Sequence, residues 1–201
     1  MRVAAEHIDG RQLRYQHRRP ELLDDVAAYV LEHGLADLAM RPLATAVGVN
    51  HGTLLHHFGS KENLVTEVIQ RLRTRMADAV DVTSSPNSTG NLAYWWQRST
   101  ASQHLPVYRL LFEVYAQAVR QPERYGHYLQ QVVHESLKLM ESLVEAEGCP
   151  PARATLVASV IVAQARGLQL DLLATGDRER VDRSFALFLD MLTMLKHTWH
   201  Q

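Results

Sequence analysis

Only one cysteine, Cys149, occurs in the 201 residues. A lone thiol excludes an intramolecular disulfide and a cysteine zinc site, and suits a reducing cytoplasm. No Gly-rich phosphate loop, no HExxH pair and no Ser-centred nucleophile elbow is present. Catalysis is therefore not expected, and no cofactor is implied. The eleven histidines are scattered. His127 and His134 come nearest to a metal pair, but seven helical residues separate them by about 10 Å, too far to share one zinc without another element. No N-terminal apolar run resembles a signal peptide, and the most apolar run, Leu156 to Ala163, is too short to span a bilayer. A basic excess is also missing. The net charge is −1, which is not the footprint of a strongly basic nucleic-acid binder.

Acid is missing in one place where its absence is informative. From Leu38 to Lys61 there is no Asp or Glu. The spacing there predicts a short helix over Arg41–Val47, with Pro42 in its first turn, where a missing N–H costs little. Gly48 supplies a left-handed helix stop and Val49 an apolar plug. Asn50 is a good N-cap for a second helix, His51 to Phe58, closed by Gly59. Two short helices about a Gly-containing turn make a helix-turn-helix. At about 100° per residue, Leu54 and Phe58 of the second helix fall together toward a core. Gly52, Thr53 and His56 fall on the opposite side, with His57 on a flank. Small, hydrogen-bonding, non-acidic residues on that face suit a helix laid N-terminus first in the DNA major groove. Thr53 can touch a thymine methyl or donate to a base edge or phosphate. Ser60 caps the third helix. Lys61, electrostatically misplaced at that helix's positive end, reads as a phosphate clamp.

These residues carry a resemblance. Leu43-Ala44, Gly48-Val49, Gly52-Thr53-Leu54, His57-Phe58 and Lys61-Glu62-Asn63-Leu64 resemble, in order, the pattern of the tetracycline-repressor (TetR) family's DNA-binding domain. The likeness covers the first third of the chain closely; the rest shares only helicity and length. It implies DNA contact by Arg41, Thr45, Asn50, His51, Gly52, Thr53, Leu55, His56, His57 and Lys61. Two residues depart from the pattern. Leu55 stands where a phosphate-contacting Tyr is usual. Ala39 stands near the usual Thr or Ser cap, a loss on the order of 1 kcal/mol of helix stability.

An all-α chain is expected, with three parts: an N-terminal arm (1–18), a three-helix head carrying the helix-turn-helix (19–65), and a helical effector-binding and dimerisation domain (66–201). The arm carries Arg11, Arg14 and Arg18, with Arg19 just beyond, and either is simply solvated or reaches DNA. Pro20 is expected to open the first helix, running to His33 with Leu22, Leu23, Val26, Ala27 and Val30 as its stripe. A helix from Ser60 to about Val82 follows. The breaker cluster from Thr83 to Asn91 predicts a loop, and the next helices are expected over 92–103 and from Pro106. A long helix is read from Glu123 to Glu147.

The last two helices, about 152–175 and 179–197, are apolar on most of their circumference. Such helices would expose too much apolar surface unless they met a partner. A four-helix homodimer interface about a two-fold axis is expected, and the resemblance implies the same. Trp95 and Trp96 diverge by about 100° on one helix and cannot both face one core. By resemblance a small-molecule pocket lies among the middle helices, and its candidates are Trp95, Trp96, Leu111, Tyr115, Tyr128, Val132 and Gln164. No patterned charge cluster suggests a highly charged effector. The resemblance implies a homodimeric repressor on a near-palindromic operator, released by a small molecule. The alternatives are a helical small-molecule carrier whose helix-turn-helix only packs, and a sequence-tolerant architectural DNA binder.

Overall fold

The computed structural model describes residues 10–78 and 88–199. These fold entirely as helices and turns, and group into two compact units, Met1–Leu72 and Arg73–Gln201.

The first unit holds α1 (Gly10–His33), α2 (Met40–Ala46), α3 (His51–Phe58) and most of α4 (Lys61–Asp78). The expected stripes are its core. Val26, Val30, Leu43, Leu54, Leu64, Val68 and Ile69 are fully buried. Ordered apolar spacing on four helices lets each bury one face, which is what stabilises so small a unit. Two forked ion pairs join α1 to α4: Arg19 with Glu67 at 2.7 Å, and Arg71 with Asp24 at 2.9 Å. All four side chains remain partly exposed, so the pairs fix register more than they add stability.

One boundary differs from the sequence reading. The first helix starts at Gly10, and Pro20 lies inside it rather than opening it. The stretch before Pro20 is rich in Arg and Gln, straight-chain residues that favour helix. The described half of the segment expected as an arm, residues 10–18, is therefore helical, and Arg19 is tied to Glu67 instead of reaching outward.

The second unit contains α5 (Ser88–Ser99), α6 (Leu105–Arg120), α7 (Pro122–Ala146), α8 (Pro151–Thr175) and α9 (Arg178–Lys196). The expected loop over 83–91 falls partly outside the described residues. Its last four residues form the first turn of α5, which ends at Ser99 rather than Gln103. Ser, Thr and Asn break helices internally but favour their starts. The unit's core gathers Trp96, Met140, Val144, Ile161, Phe185 and Leu192.

Helix α8 is apolar on both sides. One face buries Val157, Ala158, Ile161, Ala165, Leu168 and Leu172. The opposite face exposes Leu156, Val160 and Leu170. Although the uninterrupted apolar run is short, the whole helix is long and apolar enough to cross a bilayer. Its packed inner face places it as the central helix of this unit instead.

Candidate functional site

The helix-turn-helix is built by local rules. Ala39 occupies the cap of α2 with extended backbone and offers no side-chain hydrogen bond. Gly48 takes φ +70 between α2 and α3, a left-handed value that glycine adopts without strain. Asn50 Oδ1 accepts from Thr53 N at 2.8 Å and from the Thr53 hydroxyl at 3.1 Å, so it caps α3 and also orients Thr53. Gly59 closes α3 at φ +73. Ser60 Oγ accepts from Asn63 N at 3.1 Å and caps α4.

With Leu54 and Phe58 turned inward, the other side of α3 faces outward. Gly52, Leu55 and His56 are exposed, and His51, Thr53 and His57 are half-exposed. Arg41, Thr45 and Asn50 are exposed beside them, and Lys61 is half-buried. The Lys61 ammonium donates to the Leu38 carbonyl. An ammonium has three donors, so this contact ties the segment leading into α2 to the start of α4 and leaves donors over. Thr45 returns its hydroxyl to the Arg41 carbonyl at 3.2 Å.

Arg19, expected with the arm as either solvated or reaching DNA, instead shapes this surface from within the head. Its guanidinium lies 5.3 Å from the Phe58 ring centre, and its Nε donates to the His57 carbonyl at 3.4 Å. A cation at the end of α3 suits the helix dipole. Burial first, then the charges of His56 and Arg19, hold the His57 imidazole below its usual 6.5.

The second unit holds a cavity of about 380 Å³, within the ordinary range for small-molecule sites. Trp95, Leu111 and Val132 line it, together with Met140 and Ile161. Trp96, Tyr115, Tyr128 and Gln164 are not among its lining residues. Trp96 is stacked on Phe185 at 4.2 Å and donates its Nε1 to Asp182 at 2.8 Å, so it belongs to the core. Tyr115 carries the Arg166 guanidinium over its ring at 5.3 Å. Tyr128 is half-buried with its hydroxyl shielded from solvent, and burial pushes its pKa up to about 12. The polar wall comes from residues outside the expected set: Arg73, Ser99, Tyr108, Glu135, Ser136, Arg166 and Gln169.

Comparison with known proteins agrees with this geometry. Residues 23–68 match the family model described as bacterial regulatory proteins, tetR family. The HTH-type transcriptional repressor KstR2 of Mycobacterium tuberculosis is 41% identical over 73 residues, covering 34% of this chain and 36% of the relative. The HTH-type transcriptional repressor AcnR of Corynebacterium glutamicum is 37% identical over 62 residues, 31% of this chain and 33% of the relative. The matched stretch thus spans about a third of the length of these relatives and coincides with the head. Beyond it the likeness is one of fold. A TetR-family regulator from Cytophaga hutchinsonii superposes with a TM-score of 0.75 over 90% of this chain and 95% of that one, at 15% identity. The multidrug binding protein EbrR, complexed with imidazole, gives 0.68 over 96% and 97%, at 22% identity.

An all-helical chain with an N-terminal helix-turn-helix is the class these observations define. Within it, the head, residues 23–68, matches the tetR family of bacterial regulatory proteins.

Proposed function

We propose that the protein is a homodimeric, sequence-specific transcriptional repressor, released from a near-palindromic operator when a small molecule occupies the cavity of the second unit. The observation that carries DNA binding is the α3 surface. It is capped at its N-terminus by Asn50, free of acid, and presents Gly52, Thr53 and His56 outward. Such a helix enters a major groove with its N-terminal residues at base edges. Arg41, Thr45, His51, His57 and Lys61 flank it and serve the phosphates, which position the head without reading sequence.

Dimerisation is supported by the outer faces of α8 and α9. Leu156, Val160, Ala163, Gly167, Leu170 and Ala174 are all exposed, and successive members stand four or three residues apart. On α9, Leu187, Met191 and Met194 repeat the same interval and are 62%, 55% and 63% exposed. Alternating steps of three and four are the signature of helices that interdigitate along a seam. Two copies meeting there would form a four-helix interface about a two-fold axis and hold two α3 helices for two half-sites.

Release by a ligand requires that ligand and operator favour different conformations. The coupling is then reciprocal. The cavity's size, its apolar lining and its few polar groups support a small-molecule effector, and a neighbour of the same fold is described as multidrug binding.

The test is fluorescence anisotropy of operator DNA with Thr53→Ala and His56→Ala. Each is expected to weaken specific binding by about ten-fold, the scale of one good base contact, with circular dichroism unchanged. Parent-like affinity in both variants would remove α3 as the reading helix and favour a carrier whose helix-turn-helix only packs.

A further inference from the structure

The polar wall of the cavity is asymmetric in charge. Two guanidiniums, Arg73 and Arg166, share it with one carboxylate, Glu135. That carboxylate is already engaged: Arg73 Nη1 donates to it at 3.1 Å and Gln131 Nε2 at 2.8 Å. Arg166 has no acidic partner among the described residues. One of its N–H groups donates to Ser136 Oγ at 3.0 Å, and its face rests on the Tyr115 ring. A guanidinium carries five donors in a fork, so the greater part of its hydrogen-bonding capacity is unused. It is also partly desolvated, and burial lowers its pKa below the ordinary guanidinium range. A half-buried cation without a counter-charge is costly, and an anion in the cavity would relieve that cost.

A second observation lies one turn along α8. Gln169 is 1% exposed and lines the same cavity beside the Tyr108 hydroxyl, with which it interacts, and its Nε2 lacks an acceptor at good hydrogen-bond geometry. Buried amide donors are ordinarily paired. At i and i+3 on one helix face, Arg166 and Gln169 stand as neighbours, one charged donor and one neutral one. Ile161, Val162 and Ala165 occupy the same face and are apolar. The remaining walls are dominated by Trp95, Leu111, Val132 and Met140.

We propose that the cavity takes an amphipathic organic acid with a single carboxylate, held by Arg166 beside Gln169, and with its apolar body against Leu111, Val132, Met140 and Ile161. One negative charge balances the one unpaired guanidinium. A forked guanidinium matches a carboxylate in two parallel hydrogen bonds. The volume of 380 Å³ corresponds to about a dozen water-sized portions of roughly 30 Å³, which sets the acid at medium chain length. This rests on the reading of the cavity as the effector site.

The test uses the full chain without DNA and three probes of one length: decanoate, 1-decanol and decylamine, each titrated calorimetrically at pH 7.5. Decanoate is expected to bind about ten-fold or more tighter than decanol, the scale of a hydrogen bond to a charged group, and decylamine more weakly than both. Arg166→Gln is expected to abolish the preference for the acid while leaving decanol binding nearly unchanged. Gln169→Leu, which keeps the guanidinium, is expected to reduce the preference by a few-fold, and it serves as the reporter if Arg166→Gln does not fold. Equal binding of decanol and decanoate, stronger binding of decylamine, or a preference for the acid that survives in the variants would overturn the proposal. Release of operator DNA is measured separately. Decanoate that binds in the predicted order but leaves DNA affinity unchanged would count against the effector reading and not against the acid site.

Discussion

His57 sits where fold and proposed function meet. Its carbonyl accepts from Arg19, its ring is half-exposed beside His56, and its imidazole is held below the usual 6.5 by burial, by His56 and by Arg19. The folded protein therefore resists a proton that the unfolded chain takes up at the ordinary value. As pH falls through 6.5, the unfolded state binds more protons than the folded one, so stability falls until the lower folded value is passed and then levels off. The denaturation midpoint of the parent is expected to drop across that window, and His57→Gln to drop less. Identical slopes in the two proteins would show that this imidazole is not perturbed. Asn50 shows a different economy at the same scale: one side-chain oxygen closes the start of α3 and orients the Thr53 hydroxyl. The residue that begins the helix thus also arranges what the helix presents.

Helix α8 explains why two-sided apolarity is needed. Its inner face carries Ile161, Ala165, Arg166 and Gln169 to the cavity, and its outer face repeats exposed apolar and small residues every three or four positions. Leaving the outer faces of α8 and α9 in water is unfavourable. Replacing Leu187 and Met191 together by Glu is therefore expected to convert a dimer into a monomer in sedimentation equilibrium and to weaken operator binding strongly. A parent protein that sediments as a monomer at micromolar concentration would contradict the seam.

How legible each element was depends on its punctuation. Helix α3 could be read to the residue, because Asn50 and Gly59 mark both of its ends. The start of α1 is not legible in the sequence, because Pro20 is an acceptable first-turn residue and only backbone propensity favours a longer helix. The start of α5 was hidden because Ser88, Thr89 and Asn91 signal both a loop and a helix start. In the cavity, Trp95, Leu111 and Val132 could be anticipated, whereas Trp96 and Trp95 were separable only by the Phe185 and Asp182 contacts of Trp96. Arg166 and Gln169 looked like interruptions of an apolar helix. Gln164, chosen in their place, points about 140° away from Gln169 around the helix axis. Which side of a uniformly apolar helix faces inward is set by its neighbours, and α8 alone does not encode it.

At the scale of the whole molecule, a net charge of −1 is compatible with DNA binding, because the charge is distributed unevenly. The helix-turn-helix segment carries no acid between Leu38 and Lys61, and two such patches on the proposed dimer would suffice for local phosphate contact without a basic body. Specific affinity must then come from paired half-sites rather than from bulk electrostatics. The most direct measurement is selection of bound sequences from a random duplex pool by the full-length protein at physiological salt. The account predicts enrichment of a near-palindrome whose half-sites lie about one helical turn apart or slightly more. A pool that shows no enriched motif, with binding that simply tracks salt, would contradict it and leave a sequence-tolerant DNA binder or a DNA-silent carrier on the same fold.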